Sequence, residues 1–301
     1  QFRLVINTVY TPRIAKPIGV CPRFVQTAFH SHSQQQKRMK TDIYERIAFN
    51  LREAQRNKSP IPPIRDEILD FGVDGAYKIQ TINTHHYQNE GKRLCGRKIG
   101  LTSKSVQDQL GVSEPDYGVL FSYMALTDDE TICAGDVLQP KVEAEVAFVL
   151  RRDLDMLEPN TADVIRATEF VLPAIEVVGS RIEKWNIGLL DTIADNASSG
   201  LFVLGGQPTK LDGLDLRLCK MVMEKQGLEV STGSGAACLG NPINAVVWLA
   251  RKMVLLGTPL RAGEVIMSGA LGPMASANPG DSFEARLDGL GSVRVRFSST
   301  N

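Results

Sequence analysis

The stretch Val142-Glu143-Ala144-Glu145-Val146-Ala147-Phe148-Val149 decides how this chain is read. Its β-branched and aromatic residues spell a buried strand, yet two carboxylates sit two positions apart inside it. Side chains at i and i+2 of a strand share a face, so Glu143 and Glu145 converge. Two anions in an apolar setting repel and lose hydration, so something must compensate them. A hard divalent cation such as Mg²⁺ or Mn²⁺ prefers oxygen ligands and meets that need. A lone E-x-E is a weak motif, and an edge strand with both acids on a wet face is the plain alternative. A third acid tips the balance toward metal: Glu176 lies in a second apolar run, Phe170-Val171-Leu172-Pro173-Ala174-Ile175-Glu176-Val177-Val178.

A chain of 301 residues can bury a sizeable core as one large domain or two smaller ones. Its 43% hydrophobic and 23% charged residues are those of an ordinary globular protein. Lys+Arg and Asp+Glu both total 34, so no basic excess points to nucleic acid or an anionic membrane. No apolar run reaches the length of a transmembrane helix. The cysteines Cys21, Cys95, Cys133, Cys219 and Cys238 are odd in number and scattered. That pattern fits a reducing compartment, not a disulfide framework or a zinc site. The histidines (His30, His32, His85, His86) lack H-E-x-x-H spacing.

Residues 1–38 form a basic segment with no acid; the first acid of the chain is Asp42. Such a composition suits an organellar transit peptide, translated upstream sequence or an added extension. The favoured expectation is a dispensable leader, with the fold starting near Met39. Residues 39–95 then make a helical N-terminal region. Thr41 is the expected N-cap of a helix carrying Ile43, Ile47, Leu51 and Ala54 on one face. Residues 96–301 make a strand-rich body. Expected strands include 98–101, 137–150, 175–178, 200–204, 216–224, 228–232, 264–268, 281–287 and 291–297, with a hairpin at Asp288-Gly289-Leu290-Gly291. Asn241 and Pro242 open one long helix that Gly257 ends. The fold class is α+β.

Six segments carry a resemblance: Gly96-Arg97-Lys98-Ile99-Gly100-Leu101-Thr102-Ser103, Pro115-Asp116-Tyr117-Gly118, Gln139 to Glu145, Leu172 to Arg181, Ala194-Asp195-Asn196-Ala197-Ser198, and Ser268-Gly269-Ala270-Leu271-Gly272-Pro273-Met274. Together, in order and spacing, they resemble the 2-keto-4-pentenoate hydratases of the fumarylacetoacetate hydrolase superfamily, from about Met39 to the C-terminus. The resemblance implies a distorted, barrel-like β body beside a smaller N-terminal region. It implies Mg²⁺ or Mn²⁺ on Glu143, Glu145 and Glu176, with Lys98 and Asp116 as the catalytic pair. Ser198, Ser268 and Gly269 are the implied substrate contacts, although Ser198 could equally cap a turn. It also implies a homo-oligomer, a decamer being one form, and a pathway aldolase or decarboxylase as partner. The cytoplasm is the default location, with organellar targeting by the leader left open.

The implied reaction adds water to 2-hydroxypenta-2,4-dienoate, giving 4-hydroxy-2-oxopentanoate in the meta-cleavage route of aromatic catabolism. Lys98 is expected to orient the substrate carboxylate and shuttle a proton, its pKa lowered by a nearby cation. Asp116 is expected to activate water or to pair with Lys98. The alternatives are 4-oxalocrotonate decarboxylase, an acylpyruvate-type C–C hydrolase, or a non-catalytic scaffold. An ordinary surface ion pair is the bland reading of Lys98 and Asp116.

Overall fold

The computed structural model describes residues 22–299 except Ala134, so the first 21 residues of the basic leader lie outside the described residues. By contacts the chain divides into two units, Gln1–Ile43 and Tyr44–Asn301. The first contributes the beginning of helix α1 (Pro22–Arg56). Thr41 therefore lies inside a helix and not at its N-cap. In the second unit the expected stripe holds: Ile47, Leu51 and Ala54 are buried.

The remaining helices are α2 (Gly72–Asn89), α3 (Lys104–Leu110), α4 (Thr161–Ala167), α5 (Leu189–Ala194) and α6 (Pro242–Leu255). Asn241 caps α6 by accepting the Ile243 amide, and the chain leaves it through Gly257 at φ 72°. The strands are β1 (Leu94–Gly100), β2 (Asp116–Phe121), β3 (Ala125–Leu126), β4 (Thr131–Ile132), β5 (Lys141–Leu150), β6 (Thr168–Val178), β7 (Leu201–Leu204), β8 (Lys220–Lys225), β9 (Leu228–Ser234), β10 (Val265–Met267), β11 (Ala275–Ser276), β12 (Ser282–Leu287) and β13 (Gly291–Phe297). They form an eight-stranded sheet, β2-β1-β10-β5-β6-β7-β3 with β11 on β5, and a five-stranded sheet, β4-β13-β12-β8-β9.

Two strand boundaries differ from expectation for physical reasons. β5 starts at Lys141 because Gln139 takes a left-handed φ of 52° and Pro140 has no amide to donate. β6 begins seven residues earlier than expected, at Thr168, and carries Pro173 in its interior. The Pro173 carbonyl still accepts the Gly205 amide at 2.9 Å, so the position keeps one of its bonds.

Both faces of β5 are covered. Val142, Ala144, Val146, Phe148 and Leu150 join the main core, which also takes the inner face of α6. Ala147 joins a smaller cluster with Leu172, Ala174 and Met267. Glu143 and Glu145 fall on that second face by the two-residue period. Helix α2 is fastened nearby through buried Gln80, whose amide donates to the carbonyls of Tyr117 and Ile193, both at 3.0 Å. No helix among the described residues is long and apolar enough to cross a membrane. Cys95, Cys133, Cys219 and Cys238 are free thiols, as the scattered spacing predicts.

Candidate active site

The site lies where β10 stops short. Lys98, Met267, Ala147 and Leu172 stand in one row across β1, β10, β5 and β6. Beyond Met267 the regular pairing of β10 with β5 ends: the 268–271 segment keeps only the Ser268 and Leu271 amides on the Val146 and Ala144 carbonyls, and β11 resumes the pairing at Val142, so Glu145 and Glu143 lie along the irregular stretch between. Glu143 faces Glu176 directly in the β5–β6 ladder. In a flat sheet three strand spacings would hold β1 and β6 roughly 14 Å apart. Yet Lys98 Nζ lies 3.2 Å from Glu176 Oε2, so the sheet curls and carries Lys98 over the acids.

One oxygen each of Glu143, Glu145 and Glu176 lies within 4.8 Å of the other two. Glu145 and Glu176 are each 1% exposed, and Glu143 is partly buried. Like charges at that spacing repel by roughly 3 kcal/mol per pair at an effective dielectric of about 20. Burial accordingly raises all three pKa values, and Glu176 is pushed up to about 7. Repulsion from the neighbouring acids adds to it, while Lys98 pulls the other way. Glu145 Oε1 and both Glu176 oxygens have no hydrogen bond, although Oε2 of Glu176 keeps its contact with Lys98. Three converging carboxylates with orphaned oxygens are the donor set of a hard divalent cation, so the residues present fit one.

Lys98 and Asp116 are not a surface ion pair. They are 3% and 1% exposed. Burial works against the Lys98 charge, but Glu176, Glu143, Asp116 and Glu145 outweigh it and raise its pKa. The downward shift expected for Lys98 is opposed by the four acids around it. Its Nζ donates to the Ala197 carbonyl at 3.0 Å and pairs with Glu176, not with Asp116. Asp116 stands opposite Gly100 in the β1–β2 ladder, where a Cβ on Gly100 would come within 2.2 Å of Asp116 Oδ1. Burial raises the Asp116 pKa against the pull of Lys98 and of donors at its own backbone, Thr192 and Gly100, none of which reaches full hydrogen-bond geometry. The glycine at 100 makes room for that acid.

The implied substrate contacts are largely engaged within the protein. The Gly269 amide is committed to Glu145 Oε2 at 2.8 Å. Its φ of 106° and a Thr102 Oγ1 only 2.4 Å from an added Cβ require glycine there. Ser268 is fully buried, its hydroxyl 3.4 Å from the Gly269 carbonyl. Ser198 Oγ shares a 3.2 Å hydrogen bond with Thr192 Oγ1.

Sequence reasoning missed the frame behind these residues. Asn196, Ala197 and Ser198 have φ of 56°, 50° and 55°, a left-handed run that costs about 1–2 kcal/mol per residue. Arg181 is consumed in holding that loop. It pairs through Nε with Asp195 and donates to the Ser199 and Asp195 carbonyls at 2.8 and 2.6 Å. Only the tolerance of Asn for positive φ hinted at such a turn. A cavity of about 130 Å³ lined by Tyr87, Tyr123, Arg181, Asp195 and Ser199 includes none of the three acids.

Comparison with known proteins fits this geometry. Residues 92–298 match the family described as fumarylacetoacetate (FAA) hydrolase C-terminal. The chain is 56% identical over 255 residues to a 2-keto-4-pentenoate hydratase of Paraburkholderia xenovorans LB400, covering 85% of this chain and 95% of that one. It is 54% identical over 259 residues to the TodF product hydratase of Pseudomonas putida F1, covering 86% and 97%. A solved structure of 4-oxalocrotonate decarboxylase from Pseudomonas putida G7, complexed with magnesium and adipate, superposes with a TM-score of 0.82 at 34% identity, covering 85% of this chain and 97% of that one. The chain therefore belongs to the fumarylacetoacetate hydrolase family, among its 2-keto-4-pentenoate hydratases.

Proposed function

We propose that this chain adds water to 2-hydroxypenta-2,4-dienoate to give 4-hydroxy-2-oxopentanoate, with Mg²⁺ or Mn²⁺ held by Glu143, Glu145 and Glu176. The observation that carries this reading is the convergence of three acids, two of them buried and one partly so, beside a buried lysine and a buried aspartate. Bound there, the cation would supply Lewis acidity toward the substrate's C2 oxygen and offset the charge of the acids.

The chain's own residues divide the remaining work. Lys98, whose Nζ is fixed between the Ala197 carbonyl and Glu176, is placed to hold the substrate carboxylate. Asp116, a buried acid whose pKa burial raises, suits proton transfer. In the first step the C2 hydroxyl gives its proton to solvent and C5 gains one from Asp116, leaving a carbonyl at C2 and a double bond between C3 and C4. In the second, water adds its oxygen to C4 while Asp116, now a carboxylate, takes a proton from it. C3 takes its proton from solvent, which returns the one released in the first step, and the sum is one water added. The hydroxyls of Ser198 and Ser268 hold the substrate, and the Gly269 amide holds Glu145.

The 4-oxalocrotonate decarboxylase reading is the runner-up, resting on the 34% identity to that enzyme against 56% to a hydratase. The same reading keeps residues 1–38 as a leader outside the catalytic fold, residues 39–95 as a helical region and 96–301 as the catalytic body. It places the enzyme in the cytoplasm as a homo-oligomer that hands its product to an aldolase.

The test is an ultraviolet assay on freshly generated 2-hydroxypenta-2,4-dienoate, with Mg²⁺ or Mn²⁺ and after chelation. Cation-dependent loss of the dienol, with a product one water heavier by mass, is expected. Asp116→Asn should abolish turnover while cation binding persists. An untouched dienol together with carbon dioxide release from 4-oxalocrotonate would hand the function to the decarboxylase.

A further inference from the structure

The left-handed run Asn196-Ala197-Ser198 is the most strained backbone near the site, and it ends on the Lys98 ammonium. Strain of this kind persists only where the surroundings over-determine it. Arg181 holds the flanking Asp195 and Ser199, and the restraint on the run itself is the Asn196 side chain. Its Oδ1 accepts the Val119 amide at 2.7 Å, and its Nδ2 donates to the Val119 carbonyl at 2.9 Å. β2 is the terminal strand of its sheet on this side, so the Asn196 amide occupies edge positions that another strand would otherwise take.

The packing beneath is equally specific. Gly118 stands opposite Lys98 in the β1–β2 ladder. A Cβ on Gly118 would come within 2.4 Å of the Asn196 carbonyl and 2.8 Å of Ser199 Oγ, so the loop lies flat on the strand only because position 118 is glycine. Flat against Gly118, the loop delivers the Ala197 carbonyl to Lys98 Nζ at 3.0 Å, while Glu176 Oε2 takes the same ammonium at 3.2 Å. A lysine has four rotatable bonds, and two contacts from different elements are what hold its head in one place.

We infer that Asn196 is a positioning residue for catalysis: by clamping the strained loop to the β2 edge at Val119, it holds the Ala197 carbonyl where it fixes the Lys98 ammonium over the acids. This rests on the reading of Lys98 as a site residue. Asn196 touches no reacting atom; it acts through Ala197 and Lys98.

The test compares full-chain variants by steady-state kinetics on the dienol, Mn²⁺ affinity by calorimetry, and Tm. Asn196→Ala removes both bonds to Val119, and Asn196→Asp keeps the acceptor but loses the donor. Each is expected to lower kcat about 10- to 100-fold, the scale on which misplacing a catalytic group costs rate. KM should rise as well, because Lys98 grips the substrate carboxylate, while the Mn²⁺ dissociation constant should stay within about threefold, because the three acids sit on β5 and β6 and not on the clamped loop. Ala197→Gly relaxes the strain without removing the carbonyl, so it should leave Tm level or raised while kcat falls several-fold. A merely structural loop could not lose rate without losing stability. Two results would overturn the inference: kcat within twofold of the parent in Asn196→Ala, or a loss of rate in every variant that follows a matching fall in Tm and Mn²⁺ affinity. Lys98→Met separates the layers. If it is inactive, the Asn196 result stands on its own; if it turns over normally, the Lys98 assignment falls and takes the inference with it.

Discussion

Two strands of this molecule carry charged residues two positions apart, and they use them in opposite ways. On β12, Glu284 and Arg286 face outward, 3.2 Å apart, and Arg286 also pairs with Glu224 on β8. The neighbouring β13 does the same, Arg294 pairing with Asp128 and Arg296 with Asp129. On β5, Glu143 and Glu145 share a face with no arginine in reach, turned into a curled slot with Glu176 opposite. Water and opposite charges neutralise the first set, so it costs little and contributes little. The second set is held against repulsion and desolvation by the rest of the fold. Charge that a fold retains at a cost marks the site, whereas charge satisfied at the surface does not.

The contrast can be broken by substitution. Glu145→Ala and Glu143→Ala should each lower turnover of the dienol by about 10³-fold or more, because the cation's Lewis acidity is lost with its ligands. Mn²⁺ affinity measured by calorimetry should fall in parallel. Arg286→Gln, at the matching i+2 spacing on β12, should leave rate and affinity within about twofold. Equal effects at both strands would end the distinction.

Glycines sharpen it further. Gly269→Ala meets Thr102 at a backbone angle few side chains adopt and should cost roughly 2–5 kcal/mol in denaturant unfolding. Gly289→Ala, in the β12–β13 hairpin at φ 76°, meets only the end of Leu214 and should cost about 1–2 kcal/mol. Gly269→Ala should also weaken Mn²⁺ binding, since the displaced amide supports Glu145.

The acids also make the chelated protein's stability depend on pH. Glu176 sits at about 7 when folded against an ordinary 4.5, so the fold binds its proton more tightly than the unfolded chain does. That contribution is fully present below about pH 4.5 and is lost as pH rises toward 7. The expected loss is on the order of 3 kcal/mol. Unfolding midpoints of chelated protein should fall across that window, and Glu176→Gln should flatten the slope. A midpoint that rises from pH 5 to 7 in the parent, with no change in Glu176→Gln, would remove the repulsion argument.

Much of the β body was legible because its signals are local. The two-residue period of Val142–Val149 and the Asp288–Gly291 turn mark β5 and the β12–β13 hairpin, and Asn241-Pro242 marks the start of α6. The start of α1 was not legible. A capping residue inside a continuous helical stretch looks the same in sequence as one at its end, and here the helix begins at Pro22. The full length of β6 was not legible either: Pro173 has no amide to donate to a ladder, and only the pairing of β6 on both sides shows it tolerated in the strand's interior.

The chain's sequence by itself placed two acids on one face of β5, a third in a neighbouring apolar run, and a lysine and an aspartate beside glycines. Strand periodicity is a property of the backbone and needs no partner. Which groups meet was decided by the tertiary structure alone. The curl of the eight-stranded sheet brings Lys98 to Glu176 across three strand spacings, and the regular β10–β5 pairing ends at Met267, before Glu145 and Glu143. The loop at Asn196 reaches back to β2 from 77 residues away in the chain. Contacts of that range depend on sheet curvature and strand length summed over the whole core, and no local pattern of residues encodes them.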